Sequence, residues 1–427
     1  MQDTKEILKK ETALTKPSSE EITKMELELN GLKSFIEERI KKQKISAGIF
    51  VGGSFAKGTL IKKEKYDIDI FVRFEFDKTL DEKKISNTLR KLIPKNVKKI
   101  HGSRDYFSLN RKIDKTSVDF EIIPVIKIKN PQEAKNIMDL SYFHVNYVKR
   151  KIIKNPRLAD EIKLAKAFVH FQDCYGAESY INGFSGYALE LLVVHYKSFI
   201  NFIKNIAKTP GEKIVIDTEK FYKNREAILR EVNEAKLSSP IILIDPTYKE
   251  RNALAALSEN TFNRFREACI KFLKNPSGNF FKKKDNVGLL EKKYKNKMIK
   301  LNFETDRQAG DIAGTKLKKF FGFLSVKIEK YFEIKEKYFE YDEKENIGKG
   351  YFVLNARKQI IFTGPPVEME DRLKEFKAEH GQVVIKAGKS YAKEKNNLTF
   401  DRFLNELSNK DERILREMGI TDVSIMN

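Results

Sequence analysis

Apolar residues recur with two different periods along this chain, and the change of period divides it into regions. In the first 45 residues they return at the spacing of one helix face. The residues of this predicted stripe are Ile22, Met25, Leu27, Leu32, Phe35, Ile36 and Ile40. Between residues 47 and 128, short apolar runs and alternating positions predict strands, with one helix around residues 86–93. The pattern therefore predicts charged N-terminal helices followed by a small mixed α/β sheet.

Helical periodicity dominates the middle of the chain. Residues 157–208 are strongly apolar with a helical period that glycine-containing turns interrupt twice. Residues 241–246 predict a short buried strand, and residues 258–273 predict a helix. The turn-forming run Asn275-Pro276-Ser277-Gly278 then predicts a domain boundary.

The last third mixes both periods. A long basic helix is predicted at about residues 312–333, and strands are predicted near residues 351–354, 359–362 and 382–385. The whole pattern predicts an α+β multidomain protein. Its expected domains are residues 1–137, 138–277 and 278–427.

A glycine-rich turn follows the first predicted strand. Gly52, Gly53 and Ser54 come directly after the apolar run at residues 47–51, and the glycines let the backbone turn tightly there. Such a turn exposes backbone N–H groups and one hydroxyl, which together suit a phosphate group. A plain turn without a ligand is the alternative, because these residue types are common in ordinary turns.

Asp67 and Asp69 lie two positions apart on the next predicted strand. Both carboxylates therefore point to one face, while Ile68 and Ile70 point into the core. Two carboxylates on one face repel each other unless a cation lies between them. A phosphate-binding turn beside paired carboxylates is what metal-assisted phosphoryl transfer requires.

A third acid comes from the predicted strand at residues 117–125. Asp119 and Glu121 share one face of it, opposite its apolar residues. If this strand pairs beside the first two acids, three carboxylates would hold two divalent ions about 3.5–4 Å apart. Mg²⁺ is the expected metal, because all the ligands are hard oxygens. We favour Glu121 over Asp119 as the third ligand.

Composition narrows the class of partner. The 427 residues carry a formal net charge of +22, from 83 Lys and Arg against 61 Asp and Glu. This excess favours a polyanionic partner, with a merely basic enzyme as the alternative. Cys174 and Cys269 stand far apart and outside any metal-binding spacing, which suggests a reducing compartment. Residues 1–10 are unlike a signal peptide and no apolar run reaches membrane-spanning length, so we expect a cytoplasmic protein.

Several short stretches carry a resemblance to a known family. In chain order they are Gly53-Ser54, Asp67-x-Asp69, Glu121-Ile122-Ile123-Pro124, Asp139-x-Ser141-x-Phe143-His144, Tyr175-Gly176-Ala177-Glu178, Gly183-Phe184-Ser185-Gly186-Tyr187 and Asp245-Pro246-x4-Arg251-Asn252. With these stretches, from about residue 20 to about residue 400, the chain resembles the archaeal (class I) CCA-adding enzymes, which are tRNA nucleotidyltransferases. The glycine-serine turn alone is shared with many polymerases, whereas the last four stretches are much more specific.

The resemblance implies an architecture and a role for each matching residue. The implied parts are a polymerase-β-like nucleotidyltransferase head, a helical nucleotide-binding neck, and an α/β body with a helical tail that binds tRNA. The implied metal ligands and catalytic residues are Asp67, Asp69 and Glu121. The residues implied to hold the triphosphate are Gly53, Ser54, Lys57, Ser141, His144, Lys166 and Tyr175. The residues implied to read the incoming base are Asp245, Arg251 and Asn252.

Some of these residues also have plain structural interpretations. Taken singly, His144 would start a helix, Tyr175 would pack at a turn, and Arg251 would be a solvated surface arginine. Their chemistry nevertheless suits the implied roles. Lys57 and Lys166 can donate to phosphate, and a guanidinium can present paired donors to the edge of a base.

The implied function is template-independent addition of CCA to the tRNA 3′ end from CTP and ATP. The terminal hydroxyl would attack the α-phosphorus with two Mg²⁺ ions on the carboxylates, and pyrophosphate would leave. One alternative is a poly(A) polymerase-like terminal nucleotidyltransferase, which would extend RNA without stopping. The other is a catalytically silent RNA-binding homologue, which should have lost carboxylates.

Lysine-rich stretches are the expected contacts with tRNA. They lie at residues 282–284, 292–293, 316–319 and 357–358. Such contacts would make the affinity for tRNA fall with salt, although lysine runs are usually just solvated faces. No membrane partner is expected, and the sequence leaves a homodimer open.

Overall fold

The computed structural model describes residues 2–75, 81–114, 116–209, 211 and 213–426. The chain forms two compact units, which are Met1–Ala177 with Ile181–Lys283, and Glu178–Tyr180 with Lys284–Asn427. The predicted boundary between head and neck at residue 137 lies inside the first unit. The division into three domains therefore stays a prediction.

A five-stranded mixed sheet forms the first part of the first unit. The elements here are α1 (Gln2–Leu14), α2 (Ser19–Lys42), β1 (Ala47–Val51), α3 (Gly53–Ala56), β2 (Lys65–Glu75), α4 (Glu82–Leu92), β3 (Lys98–Ile100), β4 (Tyr106–Ile113) and β5 (Thr116–Lys127). The strand order is β1-β2-β5-β4-β3, in which β2 and β5 pair in parallel and the other pairs are antiparallel. The predicted mixed sheet and the helix predicted around residues 86–93 are confirmed.

Helix α2 shows how the N-terminal pattern becomes structure. The Ser18 hydroxyl accepts a hydrogen bond from the Glu21 N–H at 3.1 Å, and the Glu21 carboxylate accepts one from the Ser18 N–H at 2.7 Å. This capping box satisfies backbone donors at the helix start. The buried face consists of Met25, Leu29, Leu32, Ile36 and Ile40. Leu27 was predicted to lie on this stripe but is 73% exposed. It is two positions from both Met25 and Leu29, and an offset of two residues places a side chain on the opposite side of a helix.

Helices make up most of the rest of the first unit. They are α5 (Ser141–Lys154), α6 (Arg157–Phe171), α7 (Gly186–Tyr196), α8 (Phe199–Lys208), α9 (Arg225–Glu231) and α10 (Glu259–Lys274). A small sheet is inserted among them, with β6 (Ile214–Ile216), β7 (Ile241–Asp245) and β8 (Tyr248–Asn252) in that order. The strand predicted at residues 241–246 and the helix predicted at residues 258–273 are confirmed as β7 and α10.

Phenylalanine rings fill the core between these helices. Phe168 on α6 is fully buried, and its ring centroid lies 5.3 to 6.0 Å from those of Phe199, Phe265, Phe272, Phe280 and Phe281. Such aromatic contacts add to the stabilisation that comes from burying apolar area. The same buried core includes residues of α6 and α7, and both helices carry residues of the candidate site described below.

The second unit is built on two antiparallel sheets. Its elements are α11 (Asn286–Tyr294), β9 (Met298–Thr305), α12 (Asp311–Tyr331), β10 (Phe332–Asp342), β11 (Ile347–Ala356), β12 (Gln359–Pro366), α13 (Glu370–His380), β13 (Val383–Lys386), β14 (Lys389–Lys395), α14 (Phe400–Lys410), α15 (Glu412–Met418) and β15 (Ile420–Ile425). The strand orders are β10-β11-β9-β15 and β12-β14-β13. Helix α12 packs on the larger sheet through Leu317, Phe320 and Leu324, all fully buried.

Sequence pattern predicts this second unit only in part. The strands predicted near residues 351–354, 359–362 and 382–385 are confirmed within β11, β12 and β13. The helix predicted at about residues 312–333 ends two residues early, because Phe332 already begins β10. Strands β9, β10, β14 and β15 were not predicted, and β15 follows the two helices of the expected helical tail. None of the described helices is both long and apolar enough to cross a membrane.

Removing the ring of Phe168 should destabilise the first unit. We expect Phe168→Ala to lower its free energy of unfolding by about 3–5 kcal/mol, since the cavity has five aromatic neighbours that cannot all collapse into it. Urea unfolding of the purified protein measures this change. Phe221→Ala is the matched control, because Phe221 is 44% exposed. Equal losses for the two variants would contradict the assignment of Phe168 as the core ring.

Candidate active site

The register of two strands brings the predicted acids together. Parallel pairing of β2 with β5 places Asp67 opposite Asp119 and Asp69 opposite Glu121. Residues of the same parity on paired strands face the same side of a sheet, so all these carboxylates share one face. Asp67 is exposed, while Asp69, Asp119 and Glu121 are half-buried. The predicted convergence of two neighbouring strands is therefore present in the backbone.

Asp119 is engaged by polar neighbours on its own side of the sheet. Lys65 forms an ion pair with it at 2.5 Å, and the Asn110 amide donates a hydrogen bond to it. Asp119 therefore already has a cation beside it, and the choice of Glu121 as the third ligand stays a prediction.

The acids raise one another's pKa. Burial raises the pKa of Asp69 to about 6, opposed by the charge of Lys57 and assisted by that of Asp67. Burial together with the charges of Asp69, Asp67 and Asp119 raises the pKa of Glu121 to about 8. These side chains reach solvent, yet enough protein surrounds them to disfavour their charged forms. A cation bound among these carboxylates would offset both the cost of burying their charges and the repulsion between them.

The carboxylates fit a divalent cation by charge and by donor type. All are hard oxygen donors, which Mg²⁺ prefers, and their mutual repulsion is what a bound cation removes. As placed, however, no three His, Cys, Asp or Glu side chains among the described residues are arranged to hold a metal ion. The side chains of Asp67, Asp69 and Glu121 would therefore have to turn before all three met one ion.

The glycine turn is docked against Asp69. The Gly52 N–H donates to the Asp69 carbonyl at 2.9 Å. Gly53 has a φ of +62°, and a Cβ built on it would lie 1.7 Å from Asp69 Oδ2. Both the left-handed backbone and the close approach of the carboxylate therefore require glycine at this position. The half-buried Ser54 follows in the short helix α3.

A buried ionic cluster lies next to the acids. Glu190 on α7 accepts hydrogen bonds from Lys57 Nζ at 2.6 Å, Lys166 Nζ at 2.7 Å and Thr59 Oγ1 at 2.7 Å. Burial alone would raise the pKa of Glu190, but the two lysines more than offset it and hold that pKa at about 2. Burial lowers the pKa of Lys166 to about 8 despite Glu190.

Asp245 organises a second cluster. Its carboxylate accepts hydrogen bonds from Arg251 Nη1 at 2.7 Å, from the Tyr187 hydroxyl at 3.0 Å, and from the backbone and hydroxyl of Thr247 at 2.8 Å each. His144 Nε2 also lies 3.0 Å from Asp245 Oδ2. Burial would raise the pKa of Asp245, but these cationic and donor groups keep it well below its usual range.

Tyr187 joins the two clusters. Its ring stacks on His144 with centroids 4.2 Å apart, and the Arg251 guanidinium carbon lies 5.7 Å from the ring centroid. Lys57 Nζ lies 6.0 Å from the same centroid. The structure therefore gathers Lys57, His144 and Arg251 around one aromatic ring.

The remaining predicted residues differ in how closely they approach this region. The Tyr175 hydroxyl and the Lys166 side chain both approach Gly186 at the start of α7. Ser141 is the half-buried first residue of α5, the helix that carries His144. Asn252 is buried, and its amide is bonded to backbone groups. Its oxygen accepts from the N–H groups of residues 243 and 254 at 2.9 Å, and its nitrogen donates to the carbonyl of residue 236 at 2.8 Å.

Three participants escaped the sequence analysis. Glu190 and Thr59 were not singled out, and Tyr187 was noted only as part of a motif. A signal for Glu190 does exist, because it is the one acid in the apolar helix Gly186–Tyr196. Thr59 carries no comparable signal, since an isolated threonine after a turn is unremarkable.

Comparison with known proteins gives consistent matches. The family model described as "tRNA nucleotidyltransferase, second domain" matches residues 160–282. The model described as "Second Messenger Oligonucleotide or Dinucleotide Synthetase domain" matches residues 3–140. These matches cover the helical part of the first unit and the part that bears the carboxylates, respectively.

Curated relatives extend the match along most of the chain. The CCA-adding enzyme of Nanoarchaeum equitans is 35% identical over 347 residues, which cover 79% of this chain and 81% of that protein. The CCA-adding enzyme of Methanocaldococcus jannaschii is 32% identical over 401 residues, 91% of this chain and 86% of that protein. A solved structure of the Cid1 RNA terminal uridylyl transferase aligns with a TM-score of 0.50 at 14% identity, over 66% of this chain and 99% of that one. At that identity it indicates a shared fold alone.

An alanine at Gly53 should displace the Asp69 carboxylate. We expect Gly53→Ala to cost about 1–2 kcal/mol of stability because an L residue is strained at positive φ. We also expect its methyl group to push the Asp69 side chain out of its present position. Urea unfolding and a crystal structure of the variant measure the two effects.

Gly58 offers a matched control for this substitution. It has a similar φ of +67°, but a Cβ there would meet nothing within 4 Å. Gly58→Ala should therefore show a similar loss of stability and leave Asp69 unmoved. An unmoved Asp69 in both variants would refute the close contact of the turn with this carboxylate.

Proposed function

This chain belongs to the family of archaeal CCA-adding enzymes, and on that basis we propose that it completes tRNA 3′ ends by adding C, C and A from CTP and ATP. Members of the family are tRNA nucleotidyltransferases, so addition of nucleotides to the tRNA 3′ end follows from membership. The order of addition, the two nucleotide substrates and the roles of individual residues are our proposal. The observation that carries it is the in-register pairing of Asp69 with Glu121 beside the Gly53 turn.

The catalytic step we propose is attack by the tRNA 3′ hydroxyl on the α-phosphorus of the bound nucleotide. Asp67, Asp69 and Glu121 would hold two Mg²⁺ ions, which when bound neutralise phosphate charge and lower the pKa of the attacking hydroxyl. The glycine turn binds phosphate oxygens through backbone N–H groups and the Ser54 hydroxyl. Catalysis then comes mainly from position and charge, since phosphoryl transfer needs no covalent intermediate on the protein.

We assign Lys57 to the triphosphate. It follows the glycine turn in sequence, its charge opposes the rise in the pKa of Asp69, and its ammonium lies 6.0 Å from the centroid of the Tyr187 ring. A phosphate chain held between the turn and this lysine would lie beside the acids. We also assign Ser141, His144 and Tyr175 to nucleotide binding. The buried Lys166 donates its three hydrogen bonds to Glu190 and Thr59, so we assign it an indirect role through that cluster.

Arg251 is our candidate for reading the base. Asp245 fixes the guanidinium through one nitrogen, and a guanidinium has five N–H donors in a rigid plane. The remaining donors would serve cytosine O2 and N3 or the ring nitrogens of adenine. Asp245 thus orients Arg251. Asn252 would stabilise the same segment, since its amide is hydrogen-bonded to the backbone of β7 and of residue 236.

Binding of tRNA is supported by charge. The net charge of +22 and the lysine-rich stretches at residues 282–284, 292–293, 316–319 and 357–358 favour contact with a phosphate backbone. Shape recognition of the tRNA would suffice for this, because RNA helices are read mostly through backbone and 2′-hydroxyl groups. The three-domain division, a cytoplasmic location and a homodimer stay predictions.

Asp69→Asn should abolish nucleotide addition. Loss of this carboxylate removes a ligand from the proposed metal site, and we expect the rate to fall roughly a thousandfold or more. The assay supplies Mg²⁺, CTP, ATP and tRNA lacking its last three nucleotides, and product length and nucleotide order are read on a sequencing gel. The wild-type protein should add two C and then one A.

The control is Asp114→Asn. Asp114 is an exposed acid in the turn between β4 and β5, and it forms an ion pair with Lys24 of α2. It should add CCA at the wild-type rate. Full activity of Asp69→Asn would refute the metal assignment. Unlimited addition of A by the wild-type protein would instead favour the poly(A) polymerase-like alternative.

Arg251→Lys should relax the choice of nucleotide. Lysine keeps the charge but loses the planar pair of donors, so we expect discrimination of CTP over UTP to fall about tenfold or more. Competition between CTP and UTP on tRNA lacking CCA measures this ratio. Arg264→Lys on α10 is the control, because Arg264 is exposed and its guanidinium donates to the Thr261 hydroxyl one turn earlier on the same helix. Unchanged discrimination in Arg251→Lys would remove this residue from base reading.

A further inference from the structure

Glu190 is a carboxylate with no exposed surface in an otherwise apolar helix. It belongs to α7, whose other buried residues are Ala188, Leu189, Leu191, Leu192, Val193 and Val194. Its two oxygens bind different lysines, since Oε2 pairs with Lys57 at 2.6 Å and Oε1 pairs with Lys166 at 2.7 Å. One carboxylate therefore ties a residue of the glycine turn to a residue of α6.

Stability alone does not account for this arrangement. A buried ion pair pays a large desolvation cost, and apolar residues of similar volume are often as stabilising or more so. The neighbouring positions of α7 are already occupied by apolar residues that pack well. A charged triad of two lysines and one acid is therefore better explained by a function that needs an ammonium group in a fixed position.

The two lysines differ in how their donors are used. Lys166 Nζ bonds to Glu190 Oε1 at 2.7 Å, to Thr59 Oγ1 at 3.1 Å and to the Thr59 carbonyl at 3.3 Å. These three bonds match the three N–H donors of an ammonium group. Lys57 donates one hydrogen bond to Glu190, and its ammonium also lies 6.0 Å from the centroid of the Tyr187 ring.

We propose that Glu190 is a positioning residue that holds the Lys57 ammonium against the incoming nucleotide triphosphate, with Lys166 and Thr59 fixing Glu190 in turn. This inference rests on the proposed function and assigns parts within it. Lys57 contacts the phosphates, Lys166 neutralises the cluster, and Glu190 acts only through Lys57. The net charge of the triad is positive, which leaves it attractive to an anionic phosphate chain.

The test is a pair of Glu190 variants assayed for CCA addition. Glu190→Gln keeps the shape and removes the charge, whereas Glu190→Asp keeps the charge and shortens the side chain by one methylene. Both changes weaken the bond that holds Lys57, so we expect KM for CTP and ATP to rise about tenfold or more while kcat changes little. KM for tRNA should stay unchanged. CTP binding without tRNA, measured by calorimetry, should weaken by the same factor.

Glu219→Gln is the matched control. Glu219 also accepts hydrogen bonds from a lysine and a hydroxyl, those of Lys151 at 2.9 Å and Tyr147 at 2.6 Å, but it is partly exposed. It should leave all kinetic constants unchanged. If Glu190→Gln fails to fold, Glu190→Asp still decides the question, because it retains a carboxylate to compensate the lysines.

Each outcome separates this inference from the proposed function. Wild-type protein that adds no C or A to tRNA refutes the function, and calorimetry with CTP still tests Glu190. Unchanged KM values with a normal fold refute the positioning role. A fall in KM for Glu190→Gln together with wild-type behaviour of Glu190→Asp would also refute it, because Glu190 would then act only as a counter-charge.

Discussion

The parallel pairing of β2 with β5 is the constraint on which the candidate site depends. Side chains alternate along a strand, so a slip of one residue would bury the acids and expose the core. The apolar residues that prevent this slip are Ile68, Ile70, Phe120 and Ile122, each at most 1% exposed. Asp69 and Glu121 are neighbours because those residues must be buried, and the glycine turn can meet Asp69 because β1 pairs with the other edge of β2.

Two opposite electrostatic environments then stand next to each other. On the sheet face, acids crowd together and the pKa values of Asp69 and Glu121 rise to about 6 and about 8. Beside it, Glu190 and Asp245 are each surrounded by cations and donors, so their pKa values fall. The first environment favours divalent cations and the second leaves positive charge for phosphate and hydrogen-bond donors for a base. Lys57 lies where the two meet.

The local sequence pattern predicted the helices that have one buried face and the strand that is buried along its whole length. The face of α2, the buried strand β7 and helix α10 all follow from spacing alone, as does the shared face of Asp67 and Asp69. Strand β10 escaped prediction because the charged run Lys335-Glu336-Lys337 interrupts its alternation of polar and apolar residues directly after a long helix. Only pairing with β11 makes that stretch extended, and pairing is a long-range property. The end of α12 was misplaced for the same reason.

The sequence by itself determined which residue types were present, which of them share a strand face, and that the chain resembles CCA-adding enzymes. Tertiary structure decided which charges are partners. Lys57 and Glu190 lie 133 positions apart in the chain, and no local period relates them. Asn252, which the resemblance places among the base-reading residues, has its amide bonded to backbone groups of distant segments. The physical reason is that a buried polar group must find its partners wherever packing brings them, and packing depends on contacts between distant segments.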